Sequence, residues 1–222
     1  MNQAATVTLD AGIEQLGLVL PTAARVKLAL YLDLLAKWNA TYNLTAIRDR
    51  DQMVSHHLLD SLSVATHIVA GGILDVGSGG GLPGIPLAIW AEAGLPSLAV
   101  TVLDSNHKKS AFLRQAQIEL KLSNLQVCGE RVETWQPAQR FEQIISRAFS
   151  DLGEFFQLTR HLAQAPSEAQ PDGTRWLAMK GVHPHEELQH LPADCLLEQM
   201  HRLQVPGLQA ERHLVVLRAA HA

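Results

Sequence analysis

One short apolar run that breaks into glycines constrains this chain more than any other stretch: Gly72-Ile73-Leu74-Asp75-Val76-Gly77-Ser78-Gly79-Gly80-Gly81-Leu82-Pro83-Gly84. Ile73, Leu74 and Val76 fit a strand covered on both faces. The glycines that follow let the backbone turn tightly and approach a ligand without Cβ clashes. Pro83 suits the first turn of a helix, where a missing N–H is harmless. Strand, glycine loop and helix together read as a pocket for an adenosine-containing cofactor.

The spacing bears on which cofactor. Gly79-x-Gly81-x-x-Gly84 satisfies the dinucleotide pattern, but its first glycine lies two residues beyond Gly77, where the strand has already turned. The phrase acidic residue, Val, Gly, x, Gly, x, Gly, starting at Asp75, instead resembles the strand-to-helix junction of class I S-adenosyl-L-methionine (AdoMet) methyltransferases. A second apolar run, Ala99-Val100-Thr101-Val102-Leu103-Asp104, ends in a carboxylate that can reach ribose hydroxyls at adjacent strand ends. Asp104 suits a Rossmann-like site with either cofactor, and it could instead cap a helix starting near Asn106.

The chain has 222 residues and 47% hydrophobic content, enough to bury one full core and too apolar for a disordered or fibrous reading. No uninterrupted apolar run approaches the roughly 18 residues of a membrane span, and Met1-Asn2-Gln3-Ala4-Ala5-Thr6 lacks the layout of a secretory signal. A soluble, cytoplasmic protein with no membrane partner is expected. Cys128 and Cys195 fall in different predicted strands and suggest small core residues. His56-His57 and His183-Pro184-His185 are the closest imidazole pairs among eleven histidines; no third ligand at a recognised spacing accompanies either, so no metal is expected. A net charge of −4 argues against a surface that is all nucleic-acid footprint. Local clusters could still serve RNA: Lys108, Lys109, Arg114 and Lys121 along the helix after Asp104, and Arg25, Lys27, Lys37, Arg48 and Arg50 earlier. Such charges also form ordinary solvated faces.

Residues from about Leu9 to His67 are helical in period and contain no strand candidate. Thr22 is placed to cap a helix whose Val26, Leu30, Tyr31, Leu34, Leu35 and Trp38 share one face, and a further helix runs through Met53, Leu58, Leu59 and Val64. From Gly72 the pattern alternates strand and helix, which implies a mostly parallel sheet. The predicted strands are Ile73 to Val76, Val100 to Asp104, Leu125 to Cys128, Gln143 to Ser146, Arg175 to Lys180, Leu196 to Leu203 and His213 to Arg218, the last two forming a hairpin around Pro206-Gly207. The expected fold is α/β, a Rossmann-like class I methyltransferase with a seven-stranded sheet. Residues 1–222 make a single domain, 1–70 an amino-terminal helical cap and 71–222 the α/β core, and 165–173 a surface loop.

After Gln143-Ile144-Ile145-Ser146 comes Arg147-Ala148-Phe149, not the acidic or amide residue, two prolines and aromatic of exocyclic-amine methylation, nor a cysteine placed to attack a pyrimidine. These absences favour a nucleophile that needs little activation. Guanine N7 is one: its in-plane lone pair is unprotonated at neutral pH, so no general base is required and alignment carries the catalysis. Positive charge passes to the purine during transfer, so Arg147 is expected to hold a carboxylate or phosphate away from the methyl path.

Trp38-Asn39-x-x-Tyr42-Asn43-Leu44-Thr45, His57-Leu58-Leu59-Asp60-Ser61, the stretch Asp75 to Pro86, Leu103-Asp104-Ser105, Phe112-Leu113, Ile145-Ser146-Arg147-Ala148, Lys180-Gly181 and Glu211-Arg212-His213 together closely resemble the RsmG family, also called GidB. The resemblance implies a bacterial enzyme that makes N7-methylguanosine at position 527 of 16S rRNA, in the 30S ribosomal subunit or its precursor, using AdoMet. It departs from the family pattern at Gly80, where a proline is common, and in a longer segment from Ser167 to Asp172.

Carried over by motif, the implied AdoMet contacts are Gly77 and Leu82 in the loop, Val132 and Glu133 after the third strand, and Arg147 after the fourth; Gly79 and Gly81 in the loop and Asp104 at the end of the second strand join them as cofactor-binding candidates read from the residues themselves. Val132 could equally be core packing. Arg131, Lys180 and Arg212 are candidates for RNA phosphates or the target base, with ordinary salt bridges the alternative for each. A monomer is expected. A nicotinamide-dependent oxidoreductase would need a substrate domain for which little sequence remains, and a plain RNA-binding module would not need a cofactor loop.

Overall fold

The computed structural model describes residues 8–147, 149, 151–166 and 173–220. Helix α1 (Leu9–Gln15) starts where Thr8 accepts a hydrogen bond from Ala11 N. Helix α2 (Thr22–Tyr42) begins after Pro21, which occupies the cap position without a side-chain bond, so Thr22 is its first helical residue rather than its cap. The buried stripe of α2 is Ala24, Leu28, Tyr31, Leu32, Leu35 and Asn39. Val26 and Leu30, expected on that stripe, are 60% and 39% exposed. Two apolar stripes interleave on this helix, and packing against later helices decides which one is covered.

Asn43 ends α2 in the left-handed region at φ 51°, its N–H donating to Asn39 O. Asn39 then ties the following turn: Thr45 N donates to its Oδ1 at 2.9 Å and its Nδ2 donates to Ile47 O at 3.3 Å. The second expected helix is a composite of α3 (Arg50–Met53), a π-helical turn (Val54–Leu59) and α4 (Asp60–Leu62). Val64 lies beyond it, ahead of a 3-10 turn at Ala65–His67.

Seven strands follow: β1 (Gly71–Val76), β2 (Leu98–Leu103), β3 (Leu125–Cys128), β4 (Gln143–Arg147), β5 (Arg175–Lys180), β6 (Cys195–Leu203) and β7 (Arg212–Ala219). They form one sheet in the order β3-β2-β1-β4-β5-β7-β6, parallel except that β7 is antiparallel to both neighbours. Seven strand ends, in five of the strands, differ from the predicted ones by one or two residues. The shift that matters is at β2, which stops at Leu103 and leaves Asp104 just beyond the sheet. Because β1 lies between β2 and β4, the chain leaves the centre of the sheet in opposite directions, opening a crevice at the carboxyl ends of the strands.

Helix α5 (Gly84–Gly94) follows the glycine loop, with Pro83 at the cap position rather than inside the first turn. Helix α6 (His107–Glu119) is capped by Asn106, whose Oδ1 accepts from Lys108 N and Lys109 N; Lys121, expected along this helix, lies past its end at φ 52°. Helices α7 (Leu152–Thr159) and α8 (His185–Gln189) complete the chain.

Alternation along the strands divides the core by sheet face. Ile73, Val100, Val102 and Ile145 pack with Leu28, Tyr31, Leu35 and Phe112, so the amino-terminal helices and the sheet share one apolar cluster. Leu74, Leu103 and Ile144 pack on the other face with Phe155, Phe156 and Trp176. Cys128 and Cys195 are free thiols in β3 and β6; burial pushes the Cys195 thiol up to about 12. The longer segment from Ser167 to Asp172 lies outside the described residues.

One polar contact latches the helical cap to the glycine loop. The buried Tyr31 hydroxyl donates to Gly80 O at 2.5 Å, and burial holds its ionisation far above the ordinary phenol range. Tyr31→Phe strands the Gly80 carbonyl with no donor, and the expected loss of stability is about 1–3 kcal/mol, read from urea unfolding with an unchanged m-value.

Candidate functional site

The loop after β1 is built around a buried carboxylate. Asp75 is fully shielded from solvent, and its Oδ2 accepts from Ser78 Oγ at 2.5 Å and from Gly84 N at 2.9 Å, joining the start of the loop to the start of α5. Burial pushes this carboxyl up to about 6, while those two donors and the charge of Arg147 pull it down. A β-carbon on Gly84 would stand 2.8 Å from Asp75 Oδ2 and 2.4 Å from Val102 Cγ1, so only glycine lets helix, strand and carboxylate meet. Gly77 is the opposite case. It sits at φ +69°, and a β-carbon there would meet nothing within 4 Å because it would project into the crevice.

That crevice, about 360 Å³, is lined by Gly77, Asp104, Asn106, Lys109, Val132 and Phe149 among others. Its volume lies within the roughly 300–1,000 Å³ of small-molecule pockets. Asp104 accepts from Gly79 N through Oδ2 and from Asn106 N through Oδ1, both at 2.9 Å, and Lys109 Nζ stands 3.9 Å away. The capping alternative for Asp104 falls away, since Asn106 is the cap. Each Asp104 oxygen keeps a lone pair for a further donor. A larger cavity of about 670 Å³ opens toward the amino ends of β1 and β2, beside Gly72, Ala99 and Arg140, and contains neither Gly77 nor Asp104. The chemistry-bearing groups therefore favour the smaller one.

A second cluster stands along the same sheet edge beyond β4. Asp60, 2% exposed, accepts from Arg147 Nη1 at 3.0 Å and from Arg212 Nε at 2.9 Å. Arg147 Nη1 also donates to His56 O at 2.9 Å. One buried carboxylate faces two guanidinium groups, which leaves the cluster cationic. Lys180 pairs with Glu187 Oε2 at 2.7 Å and donates to Phe149 O at 3.1 Å. His57, beside this cluster, is bonded to Thr45 Oγ1 at 2.9 Å; burial first, then the charge of Arg147, hold its imidazole down to about 4.

The structure thus brings Gly77, Asp104, Val132 and Glu133 to one crevice, with Gly79 bonded to Asp104. Gly81 and Leu82 are buried and absent from its lining; a β-carbon on Gly81 would meet Ile85 Cδ1 at 2.4 Å, so that glycine serves packing. Arg131, expected on the RNA side, lines this crevice and pairs with Glu133 at 3.4 Å. The backbone N–H at Glu133 and this arginine keep the Glu133 carboxyl below its ordinary range. Arg147, the last residue of β4, holds the Asp60 carboxylate and stands with Arg212 rather than in the lining of the crevice. The sequence reading did not single out the roles of Tyr31 and Asp60. Both lie within helical segments, and an acidic residue in an otherwise apolar stretch, Leu58-Leu59-Asp60, was the available signal for the second.

The family model GidB, described as rRNA small subunit methyltransferase G, matches residues 24–215. Ribosomal RNA small subunit methyltransferase G of Pseudomonas fluorescens (strain Pf0-1) is 57% identical over 210 residues, covering 95% of this chain and 93% of that protein. The protein of the same name from Laribacter hongkongensis (strain HLHK9) is 51% identical over 209 residues, covering 94% and 96%. Among solved structures, mitomycin 7-O-methyltransferase MmcR is similar with a TM-score of 0.56 at 15% identity, over 77% of this chain and 56% of that one. The putative methyltransferase yhhF from Escherichia coli gives 0.52 at 18% identity, over 74% and 87%. At such identities the likeness is one of fold, the Rossmann-like α/β fold of methyltransferases.

The two buried ionisable groups respond oppositely to pH. His57 binds a proton near 6.5 when unfolded and near 4 when folded, so the stability from keeping it neutral is complete above pH 6.5 and is lost as pH falls toward 4. Asp75 keeps its proton up to about 6 in the fold against 3.8 outside it, so its contribution is present at low pH and declines as pH rises through that window. Relative to the parent, His57→Gln is expected to gain about 2–3 kcal/mol of stability on going from pH 7 to pH 4, measured by urea unfolding at each pH.

Proposed function

The chain belongs to the GidB family, the small-subunit rRNA methyltransferases G, and on that footing we propose that it transfers a methyl group from AdoMet to guanine N7 at position 527 of 16S rRNA. It is an AdoMet-dependent methyltransferase. The observation that carries the site assignment is the crevice into which a Gly77 β-carbon would project, with the Asp104 carboxylate at its side. When bound, AdoMet supplies the methyl group as an electrophilic carbon on a charged sulfur.

The residues present fit that cofactor. Gly77 gives room for close approach of the ligand, and Asp104 has lone pairs for the ribose hydroxyls. Val132 offers apolar surface, and Glu133 and its backbone can read the adenine edge. Gly79, Gly81 and Leu82 shape the loop from behind. Arg147 and Arg212, fixed by Asp60, form the cationic flank that suits the cofactor carboxylate or an RNA phosphate, and Lys180 extends it. With their charge drawn onto Asp60, these guanidinium groups stay off the line of transfer, where a developing purine cation would be repelled. No side chain is assigned as general base, because N7 needs none.

We read residues 1–222 as one domain, with 1–70 the helical cap and 71–222 the core, supported by the apolar cluster they share. Among the described residues no helix is long and apolar enough to cross a membrane. We propose that the protein acts as a cytoplasmic monomer on the 30S subunit or its precursor, a reading supported by its membership of the small-subunit rRNA methyltransferase family.

Asp104→Ala is expected to weaken AdoMet binding roughly ten- to a hundredfold by isothermal titration, since it removes an ionised acceptor; saturable NAD binding in place of AdoMet would overturn the assignment. With small-subunit RNA from a deletion strain, the parent protein should place labelled methyl on guanine N7. Label on another base atom would contradict the proposed product.

A further inference from the structure

Beyond Lys180 the chain gathers three imidazoles that the methyl-transfer reading does not use. His213, at the start of β7, is 6% exposed, and its Nδ1–H donates to Gly181 O at 3.3 Å. The ring of His183 meets His213 edge-on at 5.5 Å and 73°. His185 in turn lies flat on His183, with centroids 3.7 Å apart and planes 27° from parallel. His213 is buried, His183 half-buried and His185 exposed, so the rings form a column running from the core to the surface.

The column borders a hollow of about 490 Å³ lined by Lys180, Val182, Pro184 and Glu186 besides the two outer rings. Val182 is 77% exposed there, an apolar neighbour for anything laid on the rings. A β-carbon on Gly181 would stand 3.7 Å from Arg212 Nη1, and Lys180 Nζ donates to the carbonyl of Phe149, a residue of the cofactor crevice. The column is therefore one residue removed from the crevice, on its cationic side.

Stacked imidazoles with an exposed outer ring are a surface for another flat π-system, and unstacked RNA bases are bound in this way by aromatic and histidine side chains. Use as a metal site finds no geometric support: among the described residues no group of three His, Cys, Asp or Glu side chains is arranged to hold an ion. Burial and the two neighbouring imidazoles lower the basicity of His183, which favours a neutral ring over a phosphate-binding cation.

We propose that the His185 ring is the stacking platform for a nucleobase flanking the target guanosine, with His183 and His213 as its rigid support. The proposal rests on the RNA-methyltransferase reading and adds a nucleotide subsite to it. Stacking holds the neighbouring base while the target guanosine turns toward the crevice, as extrusion of a single base requires.

The test is fluorescence anisotropy with a labelled RNA fragment carrying the target guanosine, and with versions abasic at either flanking nucleotide. His185→Ala should weaken binding to the intact fragment about tenfold, and one abasic fragment should weaken binding of the parent equally while costing the variant nothing more. His185→Phe should bind within about threefold of the parent, and AdoMet affinity should stay unchanged in both variants as the check on folding. Unchanged RNA affinity in His185→Ala overturns the platform. So does recovery by His185→Lys without recovery by His185→Phe, which would mean a phosphate contact. N7 methylation by the parent, assayed in parallel, separates the two readings, since its absence would overturn the enzyme assignment without touching the anisotropy result.

Discussion

The placement of the crevice beside Gly77 and Asp104 depends on one ionisable group taken out of water. Asp75, next to last in β1, has its carboxylate buried between the sheet and α5, where it binds the loop residue Ser78 and the first helical N–H at Gly84. Desolvating a carboxylate is costly, and its upward shift to about 6 records that cost. The hydrogen bonds offset it, and the nearby positive charge of Arg147 adds to them. With Asp75 closing its base, the glycine loop bulges outward at Gly77 and inward at Gly80. The outward side faces the crevice, and the inward side receives the Tyr31 hydroxyl.

The amino-terminal helices are therefore part of the site's construction. Tyr31 braces the loop from behind, and the composite helix from Arg50 to Leu62 delivers Asp60 to the edge of the sheet. There Asp60 gathers Arg147 from the end of β4 and Arg212 from the start of β7. A buried carboxylate with two charged partners resists being moved, because separation would leave charge unpaired in a poor solvent. The cap, the parallel half of the sheet and the antiparallel return of β7 are thereby joined at one point. Lys180, on the strand between those of Arg147 and Arg212, donates to the carbonyl of Phe149, which lines the crevice by Gly77 and Asp104.

Departures between sequence and structure follow a pattern. Strand positions were legible because each is a short apolar run bounded by turn residues, and the β6–β7 hairpin was legible from Pro206-Gly207. The covered face of α2 was not, since Val26 and Leu30 recur with the same period as Leu28 and Leu32. Arg131 and Arg147 were legible in the sequence as basic residues within matched motifs, but their partners were not. Arginine is long, and its carboxylate partner is fixed by the fold: Glu133 for the first, Asp60 for the second.

By itself the sequence determined the local events: a strand that must turn at Gly77, a helix that can begin only after Pro83, seven strands in alternation with helices, and a family likeness carried by contiguous motifs. Each of these depends on backbone freedom or apolar period within a few residues. Tertiary structure alone decided that Tyr31 meets Gly80, that Asp60 meets Arg147 and Arg212, and that His213 meets the ring of His183 edge-on. Those partners are 49, 87 and 152 residues apart for the first three pairs. Directional contacts at such separations exist only once the hydrophobic core has fixed the distance between their elements.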